Sequence, residues 1–132
     1  MRKTILAAVT AAVITSPALA QDMTADQHTR RAHQLTESAM EYMGRAIGLY
    51  NACAGDAYDT RMQVADVVHG IYGPKQSEMF LNLLDVVAER KEDTITSCTT
   101  PKEHQADFKR YYRQGSQRLE RAIDHTEKAA GL

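Results

Sequence analysis

The sequence of 132 residues has no tryptophan and only three prolines, at positions 17, 74 and 101. No stretch alternates apolar and polar residues as a half-buried β-strand would. There is no internal repeat and no low-complexity segment. Because little interrupts helix and nothing favours sheet, these absences predict a fold that is helical throughout, in one domain of ordinary size.

Several motifs that carry chemistry are also missing. The chain has no Cys-x-x-Cys-His, which excludes covalently attached haem. It has no Gly-x-Ser-x-Gly nucleophile turn and no glycine-rich phosphate loop. No serine stands at a sequence spacing from a histidine that would indicate a catalytic pair. An enzyme is therefore not expected.

The chain has no hydrophobic run long enough to span a membrane, and its longest apolar run lies at the N-terminus. Residues 5–14 form an apolar run of about ten residues, far below the roughly 20 that span a bilayer. Arg2 and Lys3 precede it, and Ala18-Leu19-Ala20 offers the small residues that a signal peptidase reads. We therefore predict a cleaved signal peptide over residues 1–20, and a periplasmic or secreted domain over residues 21–132. The residue directly after the predicted cleavage site is Gln21 and not a cysteine, so no lipid anchor is expected.

Charge of one sign is not in marked excess. After residue 20 the chain has 14 basic and 17 acidic residues, a net charge of −3 with histidine neutral. Nucleic-acid binding calls for a strongly basic face. The balance therefore predicts no nucleic-acid partner, and it offers little to anionic lipid or to a stable membrane anchor.

The first predicted helix runs from about residue 24 to 54. It begins with a capping box, in which Thr24 and Gln27 satisfy each other's free backbone donors. Apolar residues then recur at steps of three and four along one wide face. Two glycines on this helix, Gly44 and Gly48, stand four apart, a spacing that allows another helix to approach closely.

The second and third predicted helices are separated by a Gly-Pro pair. The second begins near Asp56 or Asp59 and ends at Gly73, and the third begins at Pro74. The third turns polar by residue 93. The break is predicted because proline cannot continue a helix that precedes it.

The fourth predicted helix has the clearest start. Thr100 caps it, Pro101 occupies the first helical position and Glu103 stands where a capping box needs it. It runs to about residue 129. Four helices with short connections predict an all-α, up-down-up-down four-helix bundle.

The chain has two cysteines, Cys53 and Cys98. In an exported small domain this count predicts a disulfide, with two unpaired buried thiols as the alternative. Metal ligation by the pair is not expected, because no third Cys or His stands close to either one. In the predicted bundle both cysteines lie at the same pole, which agrees with a disulfide.

Histidines are the remaining candidates for a ligand site. Asp66 and His69 have the spacing of half a carboxylate-bridged metal site, but the motif occurs once where such sites need it twice, so no metal site is predicted. Noncovalent haem could use Met23 or His28 together with His125, which the predicted topology places at the pole opposite the disulfide. The alternative for these residues is a solvated or capping role, and no cofactor is expected.

Four short stretches carry a resemblance to known proteins. They are residues 49–55 (Leu-Tyr-Asn-Ala-Cys-Ala-Gly), 61–62 (Arg-Met), 98–101 (Cys-Thr-Thr-Pro) and 110–119 (Arg-Tyr-Tyr-Arg-Gln-Gly-Ser-Gln-Arg-Leu). Over roughly residues 32–123 the chain resembles a family of small exported bacterial helical proteins with two cysteines and no assigned function. The resemblance implies a disulfide and a compact helical fold, and no substrate, cofactor or catalytic residue.

These observations favour a non-enzymatic binding or envelope-maintenance protein. Its expected partner is another envelope protein or a peptidoglycan-associated assembly. The alternative function is a small-molecule carrier that holds haem or a metal between the helices. Six tyrosines could anchor a partner, although tyrosines also often edge a core.

Overall fold

The computed structural model describes residues 23–132, which form three helical elements. These are α1 (Ala25–Cys53), α2 (Tyr58–Thr94) and α3 (Pro101–Ala129). The predicted signal peptide lies outside the described residues. Within residues 23–132, no helix is both long enough and apolar enough to cross a membrane.

The helix starts lie where the capping residues predict them. The Thr24 amide donates to Gln27 Oε1 at 2.8 Å and the Gln27 amide donates to Thr24 Oγ1 at 3.2 Å, so the predicted capping box of α1 is confirmed. At the start of α3, the Glu103 amide donates to Thr100 Oγ1 at 3.3 Å. Each bond satisfies a backbone donor that the first turn of a helix leaves free.

The count of four helices needs a correction, because the second and third predicted helices form one element, α2. Only Gly73 leaves the helical conformation (φ 77°, ψ 172°), and helix resumes at Pro74 with no linker between. A positive φ of this size suits glycine, which has no Cβ to clash. The predicted break is therefore present, but it is a sharp bend inside α2.

The bend folds α2 back on itself. Arg61 Nε lies 2.7 Å from Asp85 Oδ1, although these residues are 24 positions apart. A straight helix would separate them by about 36 Å. Residues 58–72, here called the first limb, and residues 74–94, the second limb, therefore lie side by side and antiparallel. The Ser77 hydroxyl closes the bend by hydrogen bonding to the Val68 and Gly73 carbonyl oxygens.

Helix α1 occupies the centre of the fold and packs against both of the other elements. It runs parallel to the second limb, and a Cβ at Gly44 would lie 2.8 Å from Val87 Cβ. A Cβ at Gly48 would meet the Ala88 carbonyl oxygen, so both glycines permit the close approach that their spacing predicted. The buried core includes Ala39, Met40, Met43, Ile47, Val64, Val68, Phe80, Leu84 and Leu119.

Helix α3 runs antiparallel to α1. Gly115 packs directly on the backbone and side chain of Met43, and His125 near the end of α3 meets His28 near the start of α1. Only Gly115, Leu119 and Ala122 of α3 are fully buried. The contact of α3 with the rest of the fold is therefore a narrow stripe along α1.

The predicted disulfide between Cys53 and Cys98 is confirmed, with a Cα–Cα distance of 5.6 Å. It joins the end of α1 to the segment between α2 and α3. In the chain-entropy account, a cross-link over 45 residues stabilises the folded state by about 4 kcal/mol relative to the reduced chain.

Candidate functional site

An open apolar groove lies between the first limb of α2 and α3. Both flanking helices pack on α1, whereas α2 and α3 come close to each other at very few positions. Met43 of α1 forms the floor of a cavity of about 350 Å³. The apolar walls of this cavity are Val64, Val67, Tyr112, Leu119 and Ile123.

The groove continues toward the pole that holds the bend. A second cavity of about 340 Å³ shares Val67 and Ile123 with the first and adds Gly70, Ile71, Thr126 and Glu127. Val67 is 41% exposed. The two cavities together make one elongated apolar channel that solvent reaches along its length.

Acidic residues border the groove on both helices. On α3, Glu120 and Glu127 line it and stand seven apart, on one face of the helix. On the first limb, Gln63 lines the groove. Asp59 and Asp66 stand four before and three after Gln63, so they share its helix face, and both are exposed. The groove is thus apolar inside and has acidic side chains on both flanking helices, with Arg113 on the same flank of α3 as Glu120 at the end near Tyr112.

A second feature is the histidine pair at the pole opposite the disulfide. His28 Nδ1 and His125 Nδ1 are 2.8 Å apart, a hydrogen-bond distance, and the ring centroids are 5.1 Å apart. His28 is only 6% exposed, whereas His125 is half-buried. Because only one of the two Nδ1 atoms can donate, the other ring carries its proton on Nε2. The bond ties the start of α1 to the end of α3.

The surroundings of the pair disfavour protonation of His125. Burial lowers the pKa of His125, and the neighbouring His28, Lys128 and Arg31 lower it further. Asp124 acts in the opposite direction, but its carboxylate is also held by Lys128 at 3.0 Å. His125 is therefore predominantly neutral near pH 7, which leaves its Nδ1 able to accept or donate the hydrogen bond.

The structure thus brings together two of the three residues predicted as haem candidates. The third, Met23, is half-buried and lies just before the capping Thr24. Two ligands on opposite sides of one metal ion would be about 4 Å apart, so the imidazoles would have to separate by about 1 Å to take iron between them. Among the described residues, no group of three or more His, Cys, Asp or Glu side chains is arranged to hold a metal ion.

Two other histidines, His33 and His69, take a structural and an exposed position, respectively. His33 Nε2 lies 3.2 Å from Gln76 Nε2, and its ring packs edge-on against Tyr72 and Phe80. His69 is exposed, and so is Asp66, its partner in the predicted half-motif.

Tyr72 illustrates how a tyrosine edges this core. Thr36 Oγ1 donates to the Ala32 carbonyl oxygen at 2.8 Å, so the Tyr72 hydroxyl, 2.6 Å from Thr36 Oγ1, is the donor of that second bond. Burial raises the pKa of Tyr72, which keeps this hydroxyl protonated. The bond fastens the first limb to α1 at the bend.

The sequence did not predict the groove, because its walls come from the first limb of α2 and from α3, which the second limb separates along the chain. Val67 and Ile123 each continue the apolar face of their own helix, which predicts burial for both. One feature of the sequence could have indicated an uncovered apolar surface: α3 has few large aliphatic residues, too few to cover two neighbouring helices. Comparison of the chain with known protein families, curated proteins and solved structures gave no match.

Proposed function

We propose that this protein is an exported, non-enzymatic binding protein that holds an amphipathic helix of another envelope protein in the groove between the first limb of α2 and α3. The observation that carries the proposal is the groove itself, an apolar channel with acidic residues on both rims. An occupant that fits has apolar residues at helical spacing and Lys or Arg along its flanks.

The dimensions and chemistry of the groove support a helical occupant. The two cavities follow the axis of α3 from Tyr112 to Glu127, a distance of about 22 Å at 1.5 Å per residue. That length matches four turns of a helix lying along it. Basic flanks on the occupant would pair with Glu120, Glu127, Asp59 and Asp66, which steers binding and sets its orientation.

The compartment and topology form part of the proposal. The disulfide supports an oxidising compartment, in line with a signal peptide over residues 1–20 and a periplasmic location. We infer that the fold has the up-down-up-down arrangement of a four-helix bundle, in which each of the two limbs of α2 counts as one helix. Successive helical segments run antiparallel, in the order α1, first limb, second limb and α3. On the same grounds we propose membership of the family of small exported helical proteins with two cysteines.

The proposal is tested by reversing the charges on the peptide and, separately, on the groove. The probe is a synthetic helical peptide with leucines along one face and lysines on both flanks, and its counterpart has glutamates in place of the lysines. The protein should bind the lysine peptide and discriminate against the glutamate peptide. The variant E120K/E127K should reverse this preference, as measured by fluorescence anisotropy at low salt.

Two further variants control the experiment. V67D places a charge in the apolar wall and should abolish binding of either peptide, because the charge cannot be buried against the leucines. E92K/D93K makes the same charge change at the exposed end of α2 and should leave the preference for lysine unchanged. A preference that E120K/E127K fails to alter, or that E92K/D93K alters equally, contradicts a site in the groove.

The alternative function, a carrier of haem or metal between the helices, requires an opening of the fold. His28 and His125 bond to each other, and Phe80, Met40 and Leu84 fill the interior between α1 and α2. An absorbance spectrum and a metal analysis of the purified protein separate a carrier from the proposed binding protein.

A further inference from the structure

Two tyrosines each hold two cationic side chains on one side of the fold. Arg118 Cζ lies 4.2 Å from the centre of the Tyr42 ring, and Arg45 Cζ lies 5.3 Å from it. Because both guanidinium groups contact one ring, they lie within about 10 Å of each other. The ring attracts each cation through its negative face, which offsets part of the repulsion between them.

Tyr111 on α3 repeats this arrangement. Arg110 Cζ lies 5.2 Å and Lys91 Nζ lies 5.5 Å from the centre of its ring. A shallow pocket between α1 and the second limb joins the two tyrosine clusters, because Arg45 and Lys91 both line it. Arg90 lines the same pocket. The five cations therefore form one surface, here called the cationic face: Arg45, Arg90, Lys91, Arg110 and Arg118.

Carboxylates neutralise only part of this surface. Asp107 pairs with Arg110 at 2.9 Å, and Glu41 lines the pocket. Among the described residues, the other salt bridges join Arg61 to Asp85 and Lys128 to Asp124, outside the cationic face. Within residues 23–132, four of the five cations thus have no ion-pair partner. The chain after residue 20 has a net charge of −3, so the local charge of the cationic face is opposite in sign to the net charge of the domain.

Exposed apolar side chains border the cationic face. Met79 is 57% exposed and Val86 is 43% exposed. Val86 precedes Arg90 by four residues and Met79 precedes Val86 by seven, so all three lie on one face of the second limb. A surface built for a soluble polyanion gains little from such side chains. A bilayer surface takes both, since phosphates accept the cations and the headgroup boundary accepts the apolar groups.

We propose that the cationic face binds the anionic lipid headgroups of a membrane surface, reversibly and without insertion of a helix. Arginine suits phosphate because its planar fork donates two parallel hydrogen bonds. Tyr42 and Tyr111 hold the cations in place and suit the membrane interface themselves. The groove lies between the first limb and α3, away from the pocket between α1 and the second limb, so it stays open when the cationic face is occupied. The inference is independent of what occupies the groove.

Vesicle co-sedimentation tests the inference, with the disulfide-bonded protein from residue 21 onward. It should sediment with vesicles of phosphatidylcholine mixed with phosphatidylglycerol and stay in solution with phosphatidylcholine alone. Added salt should release it, because screening weakens attraction between exposed charges. The variant R90Q/K91Q should lower the partition coefficient about thirtyfold, because each of the two cations contributes about a factor of five near an anionic surface.

Three variants sharpen the test. R45Q/R118Q removes two other cations of the face and should show a loss of about thirtyfold as well. K109Q/R113Q makes the same charge change on the flank of α3 that carries Glu120, since Arg113 and Glu120 are seven apart, and should bind as the wild type does. M79S/V86S keeps every charge and should also weaken sedimentation. Thermal unfolding of each variant confirms that it is folded.

The outcomes decide between a membrane and other anions. Equal losses for R90Q/K91Q and K109Q/R113Q would mean that overall charge alone drives binding, against the proposal. Unchanged binding by M79S/V86S, together with polyglutamate displacing the protein completely from the vesicles, would identify an acidic protein as the partner and overturn the membrane assignment. Equal sedimentation with uncharged vesicles would overturn it too.

Discussion

Replacing His125 by phenylalanine removes one half of the hydrogen bond between the start of α1 and the end of α3. His28 is 6% exposed, so its Nδ1 would remain buried without a partner, behind an aromatic ring that keeps water away. An unsatisfied buried polar group costs about 1–3 kcal/mol. For a domain of this size, each 1 kcal/mol lowers the melting temperature by about 4 °C. H125F should therefore melt about 4–12 °C below the wild type.

The double variant H28F/H125F gives the matched control. Replacing both partners of a hydrogen bond by apolar groups is often nearly neutral, since no buried polar atom remains unpaired. The double variant should therefore recover most of the stability that H125F loses. If H28F/H125F is instead less stable than H125F, the two losses add, and the hydrogen bond between the histidines makes no specific contribution to the free energy of unfolding.

Acidification should weaken the same contact. Burial, with the charges of His28, Lys128 and Arg31, lowers the pKa of His125 below its value in the unfolded chain, and Asp124 only partly opposes this. Below about pH 6.5 the unfolded chain therefore binds a proton that the folded protein resists. This contribution to stability is complete above pH 6.5 and is lost as the pH falls toward the lowered pKa.

Urea unfolding followed by circular dichroism, from pH 8 to pH 5, measures both effects. The wild type should lose stability below pH 6.5 with a steeper slope than H28F/H125F. Equal slopes in the two proteins, or an H125F variant as stable as the wild type at pH 7.5, would refute the role assigned to the pair.

Two further predictions concern the scaffold. C53S and C98S should each destabilise the fold by about 4 kcal/mol, and the double variant should add little, because either change alone opens the same 45-residue loop; additive losses on chemical denaturation would contradict a shared bond. G48A should cost about 1–3 kcal/mol, since the new Cβ meets the Ala88 carbonyl oxygen and lies 2.7 Å from Lys91 Cβ, whereas G70A, with nothing within 4 Å, should stabilise its helix by up to about 1 kcal/mol; equal melting temperatures for G48A and G70A would contradict the close packing.

Local signals in the sequence predicted the boundaries of the helices well. Thr24, Thr100 and the Gly73-Pro74 pair each act through neighbours a few residues away, so the chain alone contains the cause. The disulfide was predictable for a different reason, since a chain with two cysteines has one possible intramolecular pairing. The Gly73-Pro74 pair predicted the break but not its form, because the positive φ of Gly73 bends one element, α2, where two separate helices were expected.

The lateral arrangement of the helices depends on contacts that sequence patterns do not contain. His28 and His125 are 97 residues apart, and their meeting requires the register of α1 against α3 that the seating of Gly115 on Met43 provides. Sequence reasoning placed both histidines at one pole and could go no further. The cationic face was missed for a related reason: along α3 the charges alternate in sign, and the excess of positive charge arises only where Arg45 and Lys91 join from other helices.

The claim that the groove is the binding site is tested most directly by photo-crosslinking from within it. A photoreactive residue at position 67 lies in the groove, whereas one at position 117 is exposed on α3 and outside the lining. In cells that produce the protein, position 67 should give a discrete adduct whose crosslinked segment has apolar residues at helical spacing with Lys or Arg on its flanks. The E120K/E127K variant should weaken that adduct, and position 117 should give none. Adducts of equal yield from both positions, or an adduct from position 67 to a second copy of the same chain, would contradict the account.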